Sequence, residues 1–431
     1  MKIVISLSSS VMRCLWFGSA LILFVGVIGF TLLWFVTSVV ANPKMQVHLS
    51  TIESAASYFP NSAKLQARLA AKLVERGAET VESHESLAER AFRHSLRAVQ
   101  LSPKNHEYRL LLAAAAELRG EMKIAEESLR EAVKLAPSDV HARWQMANLL
   151  LREGKIEESL VEFRVVAASD QLRLPIVMSL IWQATKGNFE MLDRTISQEP
   201  QARLALARFL AEQAQFDASA RVFDQIDRES RFQLDGLGHF FDLMLSAGQW
   251  QWTGKLWRET VAGEKYGDKE LFWNGSFDQP VTKSLAQFDW QLNHSNFARL
   301  EVAAGKARTG QNALTIAYQG RDTTRLDGEA QHPVTVQPGG KYRLEFFAKS
   351  EELVTPDGPR VEILRVDNRA VIASSAPAPA GSSDWERMVV EFTAPANAYA
   401  VTVAVRQTPQ FSYAEPTFGL VRFDDFSLTI Q

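Results

Sequence analysis

Residues 103–136 read PKNHEYRLLLAAAAELRGEMKIAEESLREAVKLA, and residues 137–170 read PSDVHARWQMANLLLREGKIEESLVEFRVVAASD. The two lines are one pattern written twice. Pro103 and Pro137 stand 137 − 103 = 34 positions apart, and Leu101/Leu135 and Gly120/Gly154 keep the same interval. Leu112-Ala113 and Met146-Ala147 put a large and a small apolar residue in the middle of a first helix, which Gly120 and Gly154 end. Ala125 and Ser159 are small residues on a second helix, where helices cross closely, and Leu129 and Phe163 fill the gap beside them. Proline opens each unit, at a position where the backbone N–H is dispensable. A fixed period of this size predicts stacked helical hairpins.

The pattern spreads outward from this pair. Before it, Leu65–Gly77 reads as a first helix preceded by Tyr58-Phe59-Pro60, Ala78–Ser86 as an insertion and Leu87–Leu101 as a second helix. After it the repeats decay but persist, as Ile176–Gly187 with Phe189–Ile196, Leu204–Ala214 with Phe216–Ile226, and Leu237–Gly248 with Trp250–Val261. The aromatics of the last hairpin (Phe240, Phe241, Trp250, Trp252, Trp257) suit a cap against a following domain. The unit resembles the tetratricopeptide repeat at most of its consensus positions. The aromatic early in the first helix is missing from the first unit, and Trp144 lies one place off it in the second. That resemblance implies a superhelical scaffold for a protein partner. Helical spacing lines Glu107, Leu110, Ala114 and Glu117 against His141, Trp144, Asn148 and Leu151 on the concave side. Glu107, Glu117, His141, Trp144 and Asn148 are therefore partner-groove candidates. Trp144 fits equally well as a core aromatic displaced by one position.

Toward the N-terminus, Leu15–Val40 carries no charge, is rich in Leu, Val, Ile, Phe and Trp, and exceeds the roughly 20 residues that cross a bilayer. Trp16 and Trp34 lie near its ends as interfacial aromatics do. Lys2 and Arg13 precede it without an acid, which predicts a cytoplasmic N-terminus (1–14), an anchor (15–40), and a bulk that is periplasmic or extracellular. The other reading is a cleaved signal peptide, but the apolar run exceeds the roughly 7–15 residues of a signal core. The lone cysteine, Cys14, excludes a disulfide framework, and a net charge of −3 with no Lys/Arg block argues against nucleic acid.

The helical repeats are expected over 50–262, and the polar stretch GEKYGDKE at 263–270 reads as a linker. From 271 to 431 the pattern changes. Ala313–Tyr318, Val334–Val336, Tyr342–Lys349, Arg360–Val366, Trp385–Phe392, Tyr399–Arg406 and Leu420–Ile430 read as strands separated by turns such as Pro338-Gly339-Gly340. Regular short strands of this kind predict an antiparallel β-sandwich of jelly-roll type. The expected fold is thus multidomain: an N-terminal transmembrane helix, an α-helical solenoid and a C-terminal sandwich.

Several phrases of the last third occur in a telling order. They are Asn274-Gly275-Ser276-Phe277-Asp278, Thr309-Gly310-Gln311-Asn312-Ala313-Leu314, Val336 to Tyr342 leading into Phe346-Phe347-Ala348-Lys349, Glu391-Phe392-Thr393-Ala394-Pro395, and Phe423-Asp424-Asp425-Phe426. Together they resemble family 4 and family 9 carbohydrate-binding modules, which have the galactose-binding-like jelly roll. The resemblance implies a structural Ca²⁺ held by Asp278 and by Asp424 or Asp425, the alternative being turn-capping acids. Glycan contact calls for exposed aromatics with planar hydrogen-bonding partners. Phe288, Trp290, Phe411 and Tyr413, with Arg321 and Arg325, are the candidates.

The sequence carries no nucleophile elbow, P-loop, His-Glu-x-x-His or dinucleotide fingerprint, so no enzyme is expected. The leading expectation is a membrane-anchored envelope scaffold, its repeats docking a protein and its sandwich touching glycan or protein, in polysaccharide synthesis or export. A glycan-binding protein with spacer repeats is the second reading, and a cryptic glycoside hydrolase the third.

Overall fold

A computed structural model describes residues 10–35, 39–42, 44–79, 84–262, 271–281, 283–409, 411 and 413–431. The expected linker 263–270 lies outside the described residues, as does part of the expected insertion at 78–86. The chain divides into two compact units, Met1–Ser197 and Gln198–Gln431.

The first unit is wholly helical. A long apolar helix α1 (Ser10–Phe35) is followed by α2 (Leu49–Tyr58), α3 (Ala63–Glu79), α4 (His84–Leu101), α5 (His106–Leu118), α6 (Met122–Leu135), α7 (Val140–Arg152), α8 (Ile156–Ser169), α9 (Leu174–Ala184) and α10 (Phe189–Thr195). Within α1, Trp16–Phe35 is long and apolar enough to cross a membrane and is unburied throughout. The repeat is realised as read. Gly120, at φ +82°, closes α5, with its N–H donating to the Glu117 carbonyl (2.9 Å) and that of Glu121 to Ala116 (2.8 Å). Gly154, at φ +75°, repeats the arrangement on Leu151 and Leu150. This left-handed turn is where a residue without Cβ is favoured. Ala125 and Ser159 are fully buried at the helix crossings, and the Ser159 hydroxyl donates to the Ala147 carbonyl at 2.8 Å. The same bond recurs beyond the clean pair, from Ser219 to Ala207 at 2.7 Å.

The second unit joins helices to the sandwich. It begins with α11 (Pro200–Glu212), α12 (Phe216–Asp224), α13 (Arg228–Arg231), α14 (Leu237–Ser246) and α15 (Trp250–Trp257). The strands are β1 (Gln291–Leu292), β2 (Ala298–Ala304), β3 (Asn312–Tyr318), β4 (Leu326–Thr335), β5 (Lys341–Val354), β6 (Arg360–Arg365), β7 (Val371–Ser374), β8 (Glu386–Thr393), β9 (Ala400–Gln407) and β10 (Phe418–Ile430). They form two antiparallel five-stranded sheets, ordered β1-β4-β9-β6-β7 and β2-β3-β10-β5-β8. All seven expected strands are present. The short β1 and β7 and the edge strand β2 were not read from sequence. Alternate residues of β5 (Tyr342, Leu344, Phe346) meet Val401, Val403 and Val405 of β9 in one apolar layer between the sheets.

The last helical hairpin is keyed into the sandwich. Trp257 is fully buried, donates its indole N–H to the Leu285 carbonyl (2.8 Å), and meets Phe288 and Trp273 edge-on at 5.8 and 6.1 Å. A Cβ at Gly238 of α14 would sit 2.0 Å from the Ser284 carbonyl oxygen, and one at Gly254 of α15 would sit 2.5 Å from the Thr335 methyl. Of the aromatics expected to cap the array, Trp250 and Trp257 face the sandwich, whereas Phe240 and Phe241 pack on Phe223 of α12.

Candidate binding surfaces

In the helical unit, consecutive first helices α3 and α5 form the sides of a cleft of about 640 Å³. Lys64 and Arg68 project from α3, Glu107, Tyr108 and Leu111 from α5, and Ala67 and Ala71 form a small-residue floor. Asn105 caps α5, accepting from the N–H groups of Glu107 (2.9 Å) and Tyr108 (3.3 Å), which fixes where those two side chains leave the helix. Burial raises the Tyr108 hydroxyl above its ordinary range, with the Glu107 charge adding to it, so it stays a neutral donor.

Glu107 alone of the five groove candidates lines this cleft. The cleft-facing register is 107, 108 and 111, and Leu110 is buried in the core instead. Trp144, at the position 144 − 110 = 34 after Leu110, lies edge-on to Phe163 at 5.8 Å with the Arg173 guanidinium over its face. Trp144 is half-buried. Asn148 donates back to the Trp144 carbonyl (2.7 Å), His141 lies against Gln145 (2.9 Å), and Glu117 is paired with Arg152. These four stand on α5 and α7, outside the lining of the α3–α5 cleft. A sequence signal for this cleft, the Lys64/Arg68 pair one turn apart on α3, was available.

In the sandwich, Phe288 and Trp290 are corrected from surface to core. Trp290 has no exposed surface, stacks on Phe277 (4.8 Å) and donates to the Asn274 carbonyl (3.1 Å). Phe288 is buried between Trp250 and Trp257. Beside them Asp289 is buried, accepting from Trp290 N–H (2.7 Å) and Asn274 (3.1 Å), and desolvation pushes its carboxyl up to about 6. His332 is stacked on Phe272 at 4.1 Å, and burial depresses its imidazole to about 4.

The three acids expected at a calcium ion are engaged elsewhere. Asp278 is exposed and accepts from Gln311 (2.9 Å) and Asn312 (3.2 Å) N–H groups. Asp424 has no exposed surface and accepts from Arg308 (2.7 Å), Thr309 (3.3 Å) and Asp425 (2.8 Å) N–H groups. Burial raises Asp424 to about 6. Asp425 pairs with the Arg308 guanidinium at 2.7 Å. Among the described residues no three His, Cys, Asp or Glu side chains converge as a metal site. All three acids bond to one turn, 308–312, and both N–H bonds to Asp278 fall on Oδ1. They anchor the 308–312 turn to β10 and to the segment 271–281.

The remaining glycan candidates do come together in part. The β3–β4 loop and the β9–β10 loop are tied by Thr323 N–H to the Ala414 carbonyl (2.8 Å) and Gly320 N–H to the Thr417 carbonyl (3.1 Å). Phe411 and Tyr413, 72% and 66% exposed, stand on the second loop, while exposed Arg321 and Arg325 stand on the first. Arg325 reaches Asp327 (3.3 Å), which also accepts from Arg369 (3.1 Å) and Arg406 (3.0 Å) on the outer face of the first sheet. Burial works against ionising Asp327, but the arginines outweigh it and hold the carboxyl below its usual range.

No protein-family description matches this chain, and no curated protein does. Solved structures of two kinds are similar to parts of it. One is a family 4 carbohydrate-binding module, at 19% identity over 37% of this chain and 98% of that one, with a TM-score of 0.28. A second, the TmCBM61 module in complex with β-1,4-galactotriose, has 15% identity over 38% and 100%, and 0.26. The third is YrrB, a tetratricopeptide-repeat protein with an unusual peptide-binding site, at 16% identity over 41% and 74%, and 0.25. Scores this low add nothing to the architecture, which rests on the helices and sheets described above.

Proposed function

We propose that this chain is a non-catalytic, membrane-anchored envelope scaffold whose helical array docks an extended segment of a protein partner. The observation that carries this reading is the α3–α5 cleft, with an alanine floor, the Leu111 side chain and polar walls. Such a surface holds a ligand without performing chemistry on it. The anchor is Trp16–Phe35, with the short basic N-terminus cytoplasmic and the bulk on the far side. Ala41 at the cleft is only 41 − 35 = 6 positions from Phe35, so it stays within roughly 20 Å of the helix end. A partner in a membrane-bound machine for polysaccharide synthesis or export suits that placement. A photoreactive residue at Leu111 in the full chain, expressed in intact cells, should form a discrete protein adduct. The same residue at exposed Leu96 on α4 should not. Identical labelling from both positions, or none from Leu111, would refute the docking.

The second reading, glycan contact by the sandwich, is favoured by the exposed Phe411 and Tyr413 on tied loops beside Arg321. On a glycan array the full chain should bind and the Phe411→Ala/Tyr413→Ala variant should lose that binding. Equal binding by both would remove those loops from the reading.

A further inference from the structure

We propose that the α3–α5 cleft selects its peptide by an acidic side chain, seated on Arg68 with Lys64 beside it. The proposal rests on the docking reading above and names the partner chemistry. Lys64 and Arg68 stand one helical turn apart and line the same cleft. Among the described residues neither has a carboxylate partner, although Lys72, two turns on from Lys64, is paired with Glu75 at 2.5 Å. Arg68 donates one N–H to the Met45 carbonyl (2.8 Å), and its Nε–H is enclosed without an acceptor. An enclosed charged donor with nothing to donate to carries a desolvation cost that an incoming oxygen recovers. The planar guanidinium offers a carboxylate its remaining Nη N–H groups, and lysine adds a mobile point charge.

The other wall says what surrounds that carboxylate. Tyr108 and Leu111 of α5 offer a neutral hydroxyl and an apolar side chain, and Ala67 and Ala71 allow a backbone to approach closely. Among the described residues Glu107 is the one acid lining the cleft, on the α5 side, so a bound segment presents its acid toward α3 and avoids one toward α5. The cleft is short and its walls are mixed, which suits a peptide better than an acyl chain.

The full chain in phosphatidylcholine nanodiscs is used to select from a random dodecapeptide display library. Selected peptides should be enriched in Asp and Glu. The Lys64→Glu/Arg68→Glu variant should bind them at least about tenfold more weakly and select Lys and Arg instead. Lys72→Glu on the same helix should change neither. Circular dichroism checks that the variants fold. If the reversed pair fails to fold, Lys64→Gln/Arg68→Gln should show the same weakening. Selected peptides without acidic enrichment, or undiminished binding by the charge variants, overturns the proposal while leaving docking in place. Saturable binding of short-chain phosphatidylglycerol that needs both cations, with no peptide enriched, assigns them to a lipid headgroup and also overturns it. Peptides enriched by neither protein, with no lipid binding, remove the docking reading itself.

Discussion

Single carboxylates in the sandwich have measurable signatures. Asp289 titrates near 6 in the fold because it is buried, so folding draws a proton onto it. The stability it costs is absent below about pH 4, where the unfolded chain is protonated too, and grows as pH rises through about 6. Asp289→Asn keeps the Oδ1 acceptor and removes the charge. Its gain in melting temperature over the parent should be small at pH 4 and larger at pH 7.5, worth up to on the order of 2–3 kcal/mol for a shift of about two pH units. A gain independent of pH would show that the Asp289 carboxyl titrates alike in the folded and unfolded chains, with no rise on burial. His332 works in the opposite sense, losing stability as pH falls through 6.5 toward 4, but it is common to both proteins and cancels in the difference. Asp424→Ala would strand three N–H groups, at a cost of about 1–3 kcal/mol. That loss should be the same with and without a chelator. A loss that appears only before chelation would restore the calcium that the sequence resemblance implied.

Helices in this chain meet through small residues, and enlarging one tests the register directly. Ala125 is fully buried in the α5–α7 core, so Ala125→Trp should destabilise the array by about 1–3 kcal/mol or more, read as a lowered thermal midpoint. Gly238 makes a sharper case. On an exposed helix, Gly→Ala stabilises by roughly 0.5–1 kcal/mol, but here the methyl would run into the Ser284 carbonyl at 2.0 Å. Gly238→Ala should therefore lower the melting temperature. A raised midpoint would show that α14 is not seated against the Ser284 carbonyl. The repeat was legible at this scale because helical period, glycine stop and small crossing residue recur in step. The α3–α5 cleft was not, since its two walls stand on different hairpins and helical period alone does not say which neighbouring faces enclose a cleft.

At the scale of the molecule, the compact unit that contains the sandwich begins at Gln198, well before the last third of the chain. Residues 271–431 made alone would expose Phe288 and Trp273, which Trp257 now covers. That fragment should melt lower and aggregate more readily than 198–431, as differential scanning fluorimetry and gel filtration would show. Equal behaviour would make α14–α15 dispensable to the sandwich.

By itself the sequence determined the 34-residue hairpin repeat, the apolar α1 and seven strands of the sandwich, because each is set by short-range periodicity and turn chemistry that a chain carries locally. Only the tertiary structure decided the rest. Trp290 and Phe288 look like sugar platforms in a loop-rich segment, yet helices and strands remote in sequence close over them. Asp278, Asp424 and Asp425 look like a cation site, yet the 308–312 turn brings them N–H donors and an arginine more than a hundred residues from the two on β10. Burial and pairing depend on what arrives from elsewhere in the chain, and no local pattern records it.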